Sequence, residues 1–193
     1  TDAVRFGVML MAPQGLDVLF SKDRLEIGRN FMNKLWNACR FVDMNKPNGW
    51  NDKELMASQR LELADKWILN RLERAIKNYN NQIERFHFNE SAKVLYDFIW
   101  NDFCDWYIEI AKTRFYSEDS DSKVSTYNTC VKCIRIILPL LHPYTPFITE
   151  ELWSYFKDKD QPDLIISSWP EQKSEFDLKI DNEMEILQGI ISS

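Results

Sequence analysis

Glycine and proline are scarce, five and seven among 193 residues. A many-stranded sheet needs turn residues at every reversal, so this scarcity disfavours one and favours long helices. Histidine occurs only at positions 87 and 142. There is no Gly-rich phosphate loop, HExxH or GxSxG. Nothing assembles a nucleophile, a base and an oxyanion site, so no catalytic residue is expected. No apolar run is long enough to span a bilayer, and no signal-peptide pattern opens the chain, so no membrane contact is expected. The net charge of −6 argues against indiscriminate nucleic-acid binding, and DNA is not an expected partner.

What is present suits one globular unit: 45% hydrophobic and 28% charged residues, with seven Trp, seven Tyr and twelve Phe to fill a core. The four cysteines, at 39, 104, 130 and 133, all fall in helical patterns, which suits a reducing cytoplasm. CVKC (130–133) invites a metal or redox reading, but a structural zinc site usually takes two such pairs and only one exists. Two small core residues at helical spacing explain it, and no metal is expected. The chain opens at Thr1 inside an amphipathic pattern, which reads as a piece of something longer.

Periodicity predicts helices over 2–12, 24–45, 63–85, 92–110, 127–141, 146–156 and 177–193, with a short turn of helix at 54–57. APQGLDVLF (12–20) reads as a loop or extended link, Ser21 as a cap for the next helix, KPNGWND (46–52) as a loop, Asn89 as an N-cap, and DLIISSWP (163–170) as extended. Pro143 should stop one helix and Pro146 open the next. Long helices joined by short loops make an all-α antiparallel helix bundle. His142 is placed to satisfy last-turn carbonyls, and Glu150 and Glu151 to face a helix N-terminus. His87 has no evident partner. Asp102 and Asp105, in WNDFCDWY, read either as ion-paired packing or, for Asp105, as facing a ligand.

The stretch GRNFMNKLWNACRF (28–41) is unusual. At about 100° per residue, Gly28, Phe31, Met32, Leu35, Cys39 and Val42 share an apolar stripe. Arg29, Asn30, Asn33, Lys34, Asn37 and Arg40 lie opposite, and Phe41 falls among them. Asn is a poor helix former, and a merely solvated face would more cheaply use Glu, Lys and Gln. From Ser21 to Asn45 five basic residues meet three acidic ones, a local basic strip on an acidic body. Aromatic and guanidinium planes stack single-stranded RNA bases while amides and cations bond base edges and phosphates. Packing of this second face against a neighbouring helix explains the same residues, and composition leaves both readings open.

GRNFMNKLWNACRFV, LADKWILNRL, FNESAKVLYDFIWNDFCDWYIEIAK and LLHPYTPFITEELW, in that order, resemble the anticodon-binding helical domain of valyl-tRNA synthetase over essentially the whole chain. HPYTPFITEELW is shared with the isoleucine and leucine enzymes, whereas RNFMNKLWNACRF with FCDWYIEIAK is more specific to the valine enzyme. The resemblance implies that the bundle grips the anticodon stem-loop of valine tRNA. It implies contacts from Lys34, Arg40, Phe41 (stacking on a base), Ile108 and Arg24, to which the reading of the polar face adds Asn37. It also implies three regions: a segment at 1–20 downstream of the catalytic signature, the anticodon-binding bundle at 21–158, and a link and helix at 159–193 leading towards a C-terminal arm. The whole enzyme is an ATP- and magnesium-dependent ligase, but the HIGH and KMSKS signatures are absent here, so this segment is expected to hold no cofactor and not to be an enzyme alone. Its further expected partner is the catalytic domain of the same chain, and it is expected to be monomeric. The rival readings are the equivalent isoleucyl-tRNA synthetase domain and a helical protein–protein adaptor.

Overall fold

The computed structural model describes residues 1–11, 22–56 and 60–191. Its helices are α1 (Asp2–Met11), α2 (Lys22–Met44), α3 (Asp52–Met56), α4 (Leu63–Glu84), α5 (Phe88–Asp97), α6 (Ile108–Phe115), α7 (Ser120–Leu141), α8 (Pro146–Phe156) and α9 (Leu178–Ile191). A π-helical segment, Phe98–Tyr107, joins α5 to α6 without a break, and a single 3₁₀ turn covers Leu164–Ile166. No strand occurs among the described residues. The expected loop at 12–20, the Ser21 cap and the end of the short helix at Ala57 lie outside them.

The apolar stripe predicted for α2 is buried. Phe31, Leu35, Cys39 and Val42 of α2 meet Ile68, Leu72, Ile76 and Tyr79 of α4, Ala92, Leu95 and Ile99 of the next rod, and Cys130, Ile134, Leu138 and Leu141 of α7 in one core. Apolar burial of this kind stabilises by about 1.5–3 kcal/mol per large side chain. α7 ends at Leu141 before Pro143, and Pro146 starts α8, as the two prolines require.

Two expectations on caps are corrected. The N-cap of α5 is His87 rather than Asn89, with its side-chain Nδ1 3.1 Å from Gln82 Oε1. Asn89 is buried two residues further in, within the first turn, and bonds Glu90. His142 sits at the C-cap of α7, but its Nδ1 meets the Thr149 hydroxyl at 2.8 Å, linking α7 to α8 instead of bonding last-turn carbonyls. The extended reading of 163–170 holds except for the 3₁₀ turn.

α1 belongs to the bundle. The Asp2 carboxylate accepts the backbone N–H of Ile148 at 2.7 Å, capping α8 from outside, and Arg5 donates to the carbonyls of Pro143 and Tyr144. α1 crosses α2 closely at Gly28, where an added Cβ would lie 2.0 Å from the Ala3 carbonyl oxygen. The glycine in GRNF is therefore a contact requirement.

That contact sets a diagnostic sign. In a solvated helix Gly→Ala stabilises by about 1 kcal/mol. Gly28→Ala should instead destabilise by about 1–3 kcal/mol, because backbone cannot yield as a side chain does. Urea unfolding measures it; a stabilised variant would show that α1 does not pack as described.

Candidate nucleic-acid interface

The free surface of α2 follows from its own periodicity. α1 and the helices behind it cover the apolar stripe, leaving Asn30, Asn33, Asn37 and Met44 exposed along the centre of the opposite face. Arg29 pairs with Glu26 within the helix. The side chains of Asn30, Asn33, Asn37 and Arg40 make no hydrogen bond or ion pair among the described residues. Three amides, each with two donors and an acceptor, and one guanidinium thus stand unengaged in a row.

One edge of the row meets the π segment and α6. Here a ladder of rings rises from the core: Phe6 on Phe31 (4.5 Å between centroids), Phe31 on Tyr96 (5.3 Å) and Tyr96 on Trp100 (5.5 Å). Lys34 closes it, with Nζ 3.7 Å from the Trp100 centroid and an ion pair to Asp105. Its charge is therefore already partnered, by a ring face and by a carboxylate. Asp102 pairs with Arg71 at 2.8 Å. Both aspartates take the packing reading. Burial raises the Asp102 carboxyl above the usual range despite the Arg71 hydrogen bond.

Phe41 is half-buried, not stranded. It packs edge-to-face on Phe115 of α6 with centroids 5.7 Å apart, and the Lys112 ammonium stands 6.0 Å over its ring. The α2 wheel puts it on the polar face, but α6 rises beside that edge. Ile108 is 5% exposed, inside the core beneath this edge. Arg24 lies in the first turns of α2, and its side chain is outside the described residues.

The other edge meets α8. Trp36, Arg40, Asp43, Met44, Leu152 and Tyr155 bound a cavity of about 390 Å³ between the two helices. Trp36 and Tyr155 were not singled out from the sequence. No local signal marked them, because only the fold brings α8 beside this edge of α2.

The cysteines sit elsewhere. All four thiols are free and buried, and burial raises each one, Cys104 to about 12. Cys130 and Cys133 lie inside α7, facing the core. Among the described residues no cluster of His, Cys, Asp or Glu is arranged to hold a metal, and no helix is long and apolar enough to cross a membrane.

The family model described as the anticodon-binding domain of tRNA ligase matches residues 65–193. The chain is 42% identical over its whole length to a valine–tRNA ligase of Fusobacterium nucleatum, 43% to one of Dehalococcoides mccartyi, and 39% over 98% of its length to one of Listeria innocua. It spans 22%, 22% and 21% of those relatives. A crystal structure of a LeuRS of Agrobacterium radiobacter K84, in a ternary complex with tRNA and LeuAMS, superposes with a TM-score of 0.61 at 17% identity. It covers 89% of this chain and 19% of that one, a likeness of fold.

The exposure pattern separates the two kinds of residue on α2. Phe41→Ala should destabilise by roughly 1–2 kcal/mol, since half a ring leaves the Phe115 contact. Asn37→Ala should stay within about 0.5 kcal/mol of the parent. Thermal melts decide; an equal cost for both would mean that Asn37 is engaged.

Proposed function

This chain belongs to the anticodon-binding domain family of tRNA ligases, and we propose that it docks the anticodon stem-loop of valine tRNA. Valine is chosen over isoleucine because the three relatives named above, each matched over 98% or more of this chain, are valine–tRNA ligases. In the whole ligase, ATP-driven attachment of valine falls to regions outside these residues. The role here is to check identity and hold the tRNA so that its acceptor end reaches the distant site. A cytoplasmic setting fits that role.

The observation that carries the reading is the open row Asn30, Asn33, Asn37 and Arg40, exposed and unengaged among the described residues. A structural helix face gains nothing from unbonded amides, whereas splayed bases present edges that amides bond in pairs. Arg40 supplies a cation or stacking plane, and the outer face of Phe41, backed by Phe115, supplies an apolar platform. Lys34 contributes differently from the others. Phosphate would have to compete with Asp105 for its ammonium, so its net contribution should be smaller than that of Arg40.

The experiment is affinity for a valine anticodon hairpin, with an anticodon-swapped hairpin as control. Arg40→Ala should weaken binding to the cognate hairpin by about tenfold, and Asn37→Ala by severalfold, both with unchanged melting. Lys34→Ala should have the smaller effect. Equal affinity for both hairpins, or no loss with Arg40→Ala and Asn37→Ala, would contradict the reading and leave the polar face to a protein partner.

A further inference from the structure

We propose that the RNA-binding surface continues around the end of α8 into a second, cationic pocket, which holds the phosphate backbone of the single-stranded loop. The inference rests on the anticodon-docking reading above.

The pocket has a volume of about 590 Å³ and lies between the α2–α3 connection, α7 and the C-terminal end of α8. It adjoins the Trp36–Arg40 cavity, since Tyr155 and Phe156 line both. The two form one path from the open row of α2, past the half-exposed ring of Tyr155, into a lysine-rich recess. Its lining carries Lys46, Lys53, Arg135, Lys157 and Lys159 against Asp52 and Asp158.

Partners decide which of these charges are available. Arg135 engages Asp52 and the Phe156 carbonyl, and Lys157 pairs with Asp163. Lys46, Lys53 and Lys159 have no carboxylate partner among the described residues and are exposed. Lys46 Nζ stands 5.1 Å over the Trp50 ring, which holds an ammonium without neutralising it. The Asp158 carboxylate accepts the backbone N–H of Lys159. Three uncompensated ammoniums in one concavity, on a chain of net charge −6, mark a local site for an anion.

The neighbouring rings specify which anion. Trp50 is fixed by its Nε1–H to Asn128 Oδ1 at 2.6 Å and by an edge contact to Tyr127. Tyr155, half-exposed, stands at the junction of the two cavities. Cations that follow a backbone, interleaved with rings that take bases, are how single strands are held. An acidic protein segment would use the lysines but leave the rings idle.

The test compares hairpin binding at two salt concentrations for the parent, the triple variant Lys46→Ala/Lys53→Ala/Lys159→Ala, and Tyr155→Ala, with melting measured alongside. The triple variant should melt normally, bind about tenfold more weakly at low salt, and reduce the slope of log affinity against log salt by about two. Tyr155→Ala should weaken binding about tenfold with little change of slope. Normal affinity and slope in the triple variant, while Arg40→Ala still loses binding, would overturn this inference and leave the anticodon reading intact. Lysine-dependent binding that ignores an anticodon swap would overturn the anticodon reading and leave the groove. No RNA binding by the parent would overturn both.

Discussion

The Asp65 carboxylate, fully buried at the start of α4, is the point on which the rest of the bundle depends. Both its oxygens lie 2.7 Å from Arg114 Nη1, and one accepts the Tyr107 hydroxyl at 2.6 Å. The other accepts the Glu62 backbone N–H, closing the cap of α4, while Arg114 reaches on to Ser122 of α7. Burial opposes the charge on Arg114, but the carboxylate outweighs it and holds the guanidinium charged; the same burial drives the Tyr107 phenol far up. Removing one partner of such a pair would cost about 3–5 kcal/mol, because the other charge would stay buried and alone. α4, the π segment, α6 and α7 are thereby fixed in one register.

That register builds the α2 site from behind. With Tyr107 held against α4, the π segment turns Asp102 towards Arg71 and Asp105 towards Lys34, on two sides of one rod. Trp100 then ends the ring ladder beside α2, and Phe115, one residue after Arg114, supports Phe41. Along its outer face α2 keeps polar groups that the bundle does not use. The arrangement is a rigid frame with an unspent recognition strip, as sites built on helices rather than loops require.

Much of this was legible in the sequence because helical burial repeats every three to four residues. The stripe of α2 needed nothing more, and its asparagines stood out because they break the economy of a solvated face. The π segment was not legible. In FIWNDFCDWY the apolar residues fit three-four spacing, and i→i+5 bonding leaves no punctuation residue to mark it. Phe41 falls on the polar face of the α2 wheel yet is half-buried, because a wheel knows only its own axis. Whether a flank is free depends on the neighbour, here α6. The cationic pocket escaped because its lysines come from separate segments, near 46–53 and 159, that only the fold brings together.

Anticodon docking requires that the outer row of α2 touch the anticodon itself. The most direct measurement is site-specific photocrosslinking, with a photoreactive residue at position 37 and the modified nucleotide mapped in full-length valine tRNA. Crosslinks should be confined to the anticodon loop and abolished by unlabelled valine tRNA. Crosslinks to the acceptor stem or scattered along the molecule, or none where the tRNA is demonstrably bound, would contradict it.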